Sequence, residues 1–280
     1  MAEECNHDCS SCGTTCGDDT RRTSFYEEPN ELSKIRHTIA VVSGKGGVGK
    51  SLVTGLLAVS MSRKGRHVGI MDADITGPSI PKMFGVTGEV IGNQAGAYPV
   101  KSSGGIDVVS MNLFLEDTSD PVVWRGPVIS GVVKQFWQDV IWNDVDYLFI
   151  DMPPGTGDVP LTVMQSIKLD GIIIVTSPQE LVAMIVEKAV KMASVMKVPI
   201  LGVVENMSYF ECPDCGRQHK IFGESHLEEI ARDYRLDILG RIPIQPGLAA
   251  KCDAGQIETV EADYLKTAVD NLLALENNNN

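Results

Sequence analysis

Short apolar runs alternate with longer segments of helical periodicity along most of the chain. The runs are rich in β-branched residues and end in polar or glycine-containing turns, as buried strands do. The predicted strands are His37–Ser43, His67–Asp72, Ile106–Met111, Asp146–Asp151, Gly171–Thr176, Pro199–Glu205 and Asp237–Ile242. The predicted helices are Lys50–Lys64, Val128–Trp142, Leu181–Lys197, Gly223–Tyr234 and Ala262–Leu275. This alternation predicts an α/β fold with a mostly parallel, doubly wound sheet flanked by helices.

Three segments depart from the alternation. Residues 1–33 are polar and lack apolar periodicity, which predicts a flexible, Cys-rich N-terminal tail with a possible metal or cluster site. A single domain over residues 34–276 should follow it. The glycine-rich stretch Val86–Gly105 is expected to form an irregular excursion or small hairpin, and Asn277–Asn280 a disordered end.

The most informative motif lies between the first predicted strand and the first predicted helix. Residues 44–51 read GKGGVGKS, which satisfies G-x-x-x-x-G-K-[ST], the phosphate-binding loop of nucleoside triphosphatases. Glycines let the backbone bring its N–H groups close to phosphate oxygens, and the following helix adds the positive end of its dipole. The alternative is a glycine-rich turn that matches by chance. The predicted nucleotide-binding residues are Gly44, Lys45, Gly46, Gly47, Val48, Gly49, Lys50 and Ser51.

Three side chains of this loop have predicted roles. Lys50 should reach the β- and γ-phosphates of ATP, and the Ser51 hydroxyl should ligate Mg²⁺. Lys45, directly after the first glycine, is not required by the ordinary loop. A second lysine at the phosphate end indicates a specialised ATPase.

Acidic residues close two of the predicted strands. Asp72 and Asp74 follow the second strand, at the sheet edge where α/β proteins bind ligands; one could help organise Mg²⁺, the other orient the attacking water. Asp151 ends an apolar strand in the manner of a Walker B element. The Pro- and Gly-rich stretch 152–158 suits a switch that senses the γ-phosphate. The alternatives are a solvated acidic strand end and a plain strand-to-helix connection.

The chain has seven cysteines, and a CxxC pair stands at Cys212 and Cys215. Two thiolates are half of a tetrahedral zinc site or of a four-cysteine cluster shell. The simplest completion is a second copy of the chain across a two-fold axis. His219 offers a rival, a mononuclear site within one chain, and an unmetallated loop is the third possibility. The single Cys252 is expected to be a buried core thiol.

Four further cysteines lie within the first sixteen residues, spaced C-x3-C-x2-C-x3-C. Four thiolates on one short segment could hold a metal ion or an iron–sulfur cluster without a partner, and an empty, redox-active tail is the alternative. The candidate ligands are Cys5, Cys9, Cys12 and Cys16.

Composition and net charge indicate which classes of protein and which partners are compatible with this chain. The 280 residues are 43% apolar, enough for a large α/β domain, and no apolar run is long enough to span a bilayer. The N-terminus MAEECNHDCS has no signal-peptide pattern, so we expect a cytoplasmic protein whose thiols stay reduced. The net charge of −13 argues against a general nucleic-acid surface.

Taken together, these motifs resemble those of the Mrp/ApbC family of iron–sulfur cluster carrier ATPases, in the MinD/ParA-like superfamily. The resemblance runs from about Ile39 to the final helix. It is carried by GKGGVGKS (44–51), MDADITGPSIP (71–81), WRGP (124–127), DYLFIDMPPGTGD (146–158) and GVVENMSYFECPDCG (202–216). The first cysteine spacing of the tail is shorter than in relatives with an N-terminal cluster.

The resemblance implies a homodimeric P-loop ATPase of the deviant Walker A class. Lys45 would cross the interface to the partner's phosphates and Asp74 would position the hydrolytic water. Asp72 and Asp151 would support Mg²⁺, and Asn206 would contact the adenine. Cys212 and Cys215 would share a bridging 4Fe-4S cluster with their symmetry mates.

A carrier of this kind would receive its cluster from scaffold proteins and pass it to apo iron–sulfur proteins, with no nucleic-acid or membrane partner. Three alternatives remain at this point: a MinD/ParA-type positioning ATPase, a nitrogenase-reductase-like electron donor and a zinc-stabilised ATPase. The acidic final helix EADYLKTAVDNLLALE disfavours the first, because such proteins use a basic membrane helix or a DNA-binding surface.

Overall fold

The structure is a computed structural model that describes residues 26–75, 77–115, 126–178 and 182–279. Its strands, in chain order, are β1 (Lys34–Ser43), β2 (Val68–Asp72), β3 (Ile91–Asn93), β4 (Gly96–Tyr98), β5 (Val100–Lys101), β6 (Asp107–Val109), β7 (Asp144–Asp151), β8 (Gly171–Thr176), β9 (Ile200–Glu205), β10 (Phe210–Glu211), β11 (Gln218–His219) and β12 (Ile238–Arg241). The α-helices are α1 (Lys50–Arg63), α2 (Ile80–Phe84), α3 (Gly126–Gln138), α4 (Asp158–Ser166), α5 (Val182–Met196), α6 (Leu227–Tyr234), α7 (Pro246–Asp253) and α8 (Lys266–Leu275).

Eight strands form the central sheet in the order β12-β9-β8-β1-β7-β2-β6-β5. Every neighbouring pair is parallel except β5 and β6, so the carboxyl ends of the parallel strands share one edge of the sheet. At that edge Asp72 of β2 is the register partner of Asp151 of β7. The predicted doubly wound α/β class is therefore confirmed.

Helices cover both faces of the sheet, and side chains of the inner strands alternate between two apolar clusters. On β1, Ala40 and Val42 pack with α3, α4, α5 and α6, whereas Ile39 and Val41 pack with α1, α2, α7 and α8. Strands buried on both faces are the form expected for a parallel sheet. No described helix has both the length and the apolar character needed to cross a bilayer.

The structure adds three short helices that the sequence analysis did not predict, α2, α4 and α7. Each has a proline in its first turn, Pro81, Pro160 and Pro246. A proline is compatible with a first helical turn, where its missing N–H would have no intrahelical acceptor. The strands agree with prediction to within a few residues.

The C-terminal end of the described chain also differs from expectation. Glu276–Asn279 continue α8 as a 3-10 turn rather than a disordered end, because the Glu276 carboxylate is held by Arg66 at 2.7 Å and by the Tyr147 hydroxyl at 2.9 Å. The excursion Val86–Gly105 contains the expected hairpin, formed by β3 and β4, before β5 joins the sheet. Most of the predicted tail, residues 1–25, lies outside the described residues.

Candidate functional site: a phosphate loop and a two-cysteine hairpin

The glycine-rich loop spans the gap between β1, which ends at Ser43, and α1, which begins at Lys50. It borders a cavity of about 300 Å³ at the carboxyl edge of the sheet. The cavity is lined by Ser43, Lys45, Gly46, Gly47, Val48, Gly49, Lys50, Ser51, Leu52, Asp74, Ser79, Met83 and Pro154. The structure therefore brings nearly all of the predicted loop residues and Asp74 together around one space, while Gly44 lies half-buried at the start of the loop.

The turn into α1 depends on Gly49, whose φ of 81° is a conformation that favours glycine. A Cβ atom at Gly49 would lie 2.1 Å from Asn206 Nδ2, so only glycine fits here without a shift of the neighbour. Asn206 in turn donates from Nδ2 to the Val48 carbonyl at 2.8 Å. Asn206, predicted to contact the nucleotide base, is thus bound to the backbone of the phosphate loop.

The side chains of Lys50, Ser51 and Asp151 converge at the start of α1. Lys50 Nζ lies 2.8 Å from Asp151 Oδ2, and the Ser51 hydroxyl donates to the same oxygen at 2.5 Å. Both charged side chains are almost fully buried, which is tolerable because they compensate each other. A hydroxyl and a carboxylate oxygen are hard donors of the kind that Mg²⁺ prefers. The donor set of the described residues therefore fits a magnesium ion.

Two polar residues of the site were missed by the sequence analysis. Thr54, one turn after Lys50, donates from Oγ1 to Asp151 Oδ1 at 2.7 Å. Ser110 follows β6 and donates from Oγ to Asp72 Oδ2 at 3.1 Å. The signal for Ser110 was its position at the carboxyl end of a predicted strand, where ligand-binding residues collect. The signal for Thr54 was its helical spacing from the motif lysine.

Asp72 is completely buried beside the second carboxylate of the site. Burial and, after it, the charge of Asp151 raise the pKa of its carboxyl group to about 8, against the opposing charge of Lys50. Backbone N–H groups of Asp74 and Ile80 donate to its oxygens at 3.2 and 3.4 Å. When both buried carboxyl groups are ionised, one lysine leaves a negative excess, which a divalent cation would neutralise.

Asp74 and Lys45 both line the cavity. Asp74 Oδ2 stands 4.0 Å from Lys50 Nζ, and its side chain is 15% exposed, so water can reach it. Lys45 is half-buried, and its carbonyl accepts from the Ser43 hydroxyl at 3.1 Å. The predicted switch also borders the loop, since the Gly155 N–H donates to the Ser43 carbonyl at 2.8 Å.

The CxxC pair forms the tip of a separate hairpin made by β10 and β11. The Cys212 N–H donates to the Arg217 carbonyl at 3.0 Å, and the Gly216 N–H donates to the Cys212 carbonyl at 2.8 Å. Cys212 is half-buried and Cys215 is exposed. Backbone hydrogen bonds from Asp214 and Cys215 lower the pKa of the Cys212 thiol, which favours the thiolate form that binds metals.

The structure does not bring the rival ligand His219 into this pair. Within the described part of the chain, no three His, Cys, Asp or Glu side chains form a group that could hold a metal ion. Cys252 is half-buried on α7 and packs against the core, and burial raises its thiol pKa. Cys5, Cys9, Cys12 and Cys16 lie outside the described residues.

A larger cavity, about 950 Å³, lies at the other edge of the sheet, where the strands begin. Its lining includes Tyr26, Trp137 and Asp170, and none of the predicted site residues borders it. The chemistry-bearing side chains of the motifs collect instead at the carboxyl edge.

Comparisons with known proteins identify the family of the chain. The ParA family model, described as a NUBPL iron-transfer P-loop NTPase, matches residues 34–275. An iron–sulfur cluster carrier protein of Methanocaldococcus jannaschii is 44% identical over 259 residues, which cover 90% of this chain and 89% of the relative. Another of the same name from Clostridium perfringens is 46% identical over 237 residues, 82% of this chain and 83% of the relative.

Among solved structures, a nucleotide-binding protein of Archaeoglobus fulgidus in complex with ADP is 47% identical, with a TM-score of 0.75 over 82% of this chain and 90% of that chain. The cell division ATPase MinD of Pyrococcus furiosus shares the fold with a TM-score of 0.59 at 21% identity, over 86% of this chain and 98% of that one. The chain therefore belongs to the ParA family of NUBPL iron-transfer P-loop NTPases.

Proposed function

We propose that this protein is an ATP-binding and ATP-hydrolysing carrier that binds an iron–sulfur cluster and transfers it to apo-proteins. The observation that carries the proposal is the presence, in one chain, of a complete phosphate loop and an exposed two-thiol hairpin. The names of the relatives support it, since proteins 44% and 46% identical are called iron–sulfur cluster carrier proteins.

At the proposed nucleotide site, backbone N–H groups of the loop and Lys50 bind the phosphates of ATP. Ser51 and Asp151, with Asp72 behind them, would hold Mg²⁺, which neutralises phosphate charge during transfer. Asp74 lines the cavity with a partly exposed carboxylate, the position from which it would orient the attacking water. Lys45 would stabilise developing charge on the phosphates of a partner subunit, and Asn206 would contact the base.

At the proposed cluster site, the hairpin of one chain supplies only Cys212 and Cys215, whereas a cubane cluster takes about four protein thiolates. We infer that two copies of the chain meet at their hairpins and share one 4Fe-4S cluster. Such a cluster is only as stable as the dimer contact that holds it. A nucleotide bound near that contact can then bias cluster retention through its different affinity for the two arrangements.

The partners follow from this role: scaffold proteins that donate the cluster and apo iron–sulfur proteins that receive it in the cytoplasm. The N-terminal cysteines would hold a second, separate metal site that the bridging cluster does not need. Neither nucleic acid nor a membrane has a place in the proposed cycle.

The test is anaerobic reconstitution of three variants, with iron and sulfide counted per dimer and mass measured by light scattering. Cys212→Ser/Cys215→Ser should lose the bridging cluster and the activation of an apo iron–sulfur enzyme, yet keep nucleotide binding. Deletion of residues 1–20 should retain the bridging cluster. Cys252→Ser, at a half-buried thiol on the helix α7, is the matched control and should behave as wild type.

One result would overturn the carrier proposal. If the truncated protein binds a single Zn²⁺ per monomer through Cys212, Cys215 and His219, and no iron, the chain is a zinc-stabilised ATPase. A chain that lacks residues 1–20 and still keeps its cluster after the Cys212→Ser/Cys215→Ser change would overturn the assignment of the cluster to the hairpin.

A further inference from the structure

The segment that carries Cys212 and Cys215 has almost no packing of its own. From Glu211 to Glu224 every residue except Cys212 is exposed. Its internal pairing consists of the short hairpin of β10 and β11, a few backbone hydrogen bonds within its turns and the exposed Lys220–Glu224 ion pair. The position of the two thiols relative to the rest of the domain is therefore set where the segment joins the sheet, between Ser208 and Ser225.

A single buried carboxylate is hydrogen-bonded at both places where this segment joins the sheet. Glu205, the last residue of β9, is fully buried, and its two oxygens accept hydrogen bonds from the hydroxyls of Ser208 and Ser225. Ser208 precedes the cysteine-bearing segment, with Tyr209 and Phe210 between them, and Ser225 follows it directly. Arg241 of β12 adds its charge, with Nε 3.6 Å from Glu205 Oε2. A buried carboxylate is costly unless its oxygens are bonded, so this arrangement favours one placement of the two ends over others.

The same strand end is bound to the phosphate loop. Asn206, the next residue, donates from Nδ2 to the Val48 carbonyl at 2.8 Å and accepts from the Met207 N–H at 2.9 Å. Met207 has a φ of 56°, a left-handed conformation that is uncommon for a residue other than glycine. Such a conformation persists only where its surroundings hold it, and Asn206 is the side chain that does so here.

We propose that Glu205 is a positioning residue that clamps the base of the cysteine segment and, through Asn206, makes the placement of the two thiols depend on nucleotide at the phosphate loop. The inference rests on the proposed function and adds the route by which the two sites communicate. Phosphates bound by the loop N–H groups reorient the loop backbone, including Val48. The hydrogen bond from Asn206 to the Val48 carbonyl passes that change to Met207 and the clamped segment.

The test compares amide hydrogen exchange over residues 207–224 with and without Mg·ADP, in cluster-free protein. Nucleotide should change exchange of this segment in the wild type by about five-fold or more, the lower end of usual allosteric couplings. In Ser208→Ala/Ser225→Ala this response should disappear, while calorimetry shows unchanged nucleotide affinity. A purely structural role would raise exchange equally in both states and leave the response intact.

The chain offers a matched control. Glu258 accepts from the hydroxyls of Ser102 and Ser103 at 2.7 and 2.6 Å, the same chemistry away from the cysteine segment. Ser102→Ala/Ser103→Ala should retain the full response. If the double Ser208/Ser225 variant fails to fold, Ser225→Ala alone should reduce the response, and Ser225→Thr, which keeps the hydroxyl, should restore it.

Two outcomes overturn this inference but not the proposed function. In the first, the wild type binds nucleotide and cluster, but nucleotide does not change amide exchange over residues 207–224. In the second, the Ser208→Ala/Ser225→Ala variant retains the response to nucleotide. A wild type that binds neither nucleotide nor iron overturns the proposed function as well, and calorimetry and iron analysis identify that case.

Discussion

Lys50 and Asp151 form a buried ion pair, with 2.8 Å between Lys50 Nζ and Asp151 Oδ2, at the point where the phosphate loop meets the strand β7. Each side chain of the pair compensates the charge of the other. Bound ligands can take the place of each partner in this pair. A phosphate of the nucleotide attracts Lys50, and Mg²⁺ attracts the Asp151 carboxylate. Affinity at this site is therefore a competition between the internal pair and the ligand.

Replacing Lys50 should remove most of the nucleotide affinity. A hydrogen bond to a charged group contributes about 1.5–3 kcal/mol, so Lys50→Ala should weaken ATP binding by at least ~10–100-fold in a calorimetric titration. Lys64→Ala, at the exposed end of the same helix, should bind as wild type. Wild-type affinity in the Lys50 variant would show that the nucleotide site lies elsewhere.

Lys45 should behave differently from Lys50. If it acts on the phosphates of a partner subunit, Lys45→Ala should still bind nucleotide but lose most of its hydrolysis. A cation supplied in trans contributes ~10³–10⁵ in rate in other phosphoryl-transfer systems. Steady-state turnover, measured with the dimer population followed by light scattering, checks this. Unchanged turnover at equal dimer content would leave Lys45 without a catalytic role.

Substitutions at two glycines of the loop can distinguish the free-energy cost of backbone strain from that of a side-chain clash. Gly47 and Gly49 have φ values of 78° and 81°, but only at Gly49 would a Cβ atom meet a neighbour, Asn206. Gly47→Ala should cost about 1–2 kcal/mol of unfolding free energy from the left-handed conformation alone.

Gly49→Ala should cost more, because it also displaces Asn206 from the Val48 carbonyl, a hydrogen bond of about 1 kcal/mol. Urea unfolding of the nucleotide-free proteins measures the difference. Equal losses at the two positions would mean that Asn206 moves aside freely.

The raised pKa of Asp72 predicts a pH-dependent loss of stability. Its carboxyl group has a pKa of about 8 when folded and an ordinary value of 3.8. Between these values the unfolded chain releases the proton and the folded chain keeps it, so this group lowers the free energy of unfolding as pH rises from about 4 to 8. The slope is at most about 1.4 kcal/mol per pH unit.

Asp72→Asn should flatten this slope in urea unfolding carried out with EDTA between pH 5 and 8. Asp233→Asn, at an exposed position on α6, should keep the wild-type slope. Mg²⁺ should reduce the wild-type slope, because a cation favours the ionised carboxylate. A variant slope equal to that of wild type would mean that Asp72 is ionised throughout.

The sequence by itself determined the order of strands and helices and the motifs at their ends. The runs ending at Ser43, Asp72 and Asp151 are local patterns, and parallel connections force their carboxyl ends to one edge. The GKGGVGKS loop and the CxxC pair are likewise contiguous, so their chemistry can be interpreted without the fold. The short helices α2, α4 and α7 were missed because a proline in a first turn also fits a loop.

Only the tertiary structure decided which side chains meet across that edge. Thr54 and Ser110 contact Asp151 and Asp72 through pairings that join residues 97 and 38 positions apart, and no local pattern carries that information. Glu205 was predicted merely as a strand end. Its role as a buried carboxylate between Ser208 and Ser225 exists because the chain returns to the same point after the exposed hairpin. Burial and the hydrogen bonds it requires are properties of the folded chain, and they convert an ordinary glutamate into the closing contact of the cysteine segment.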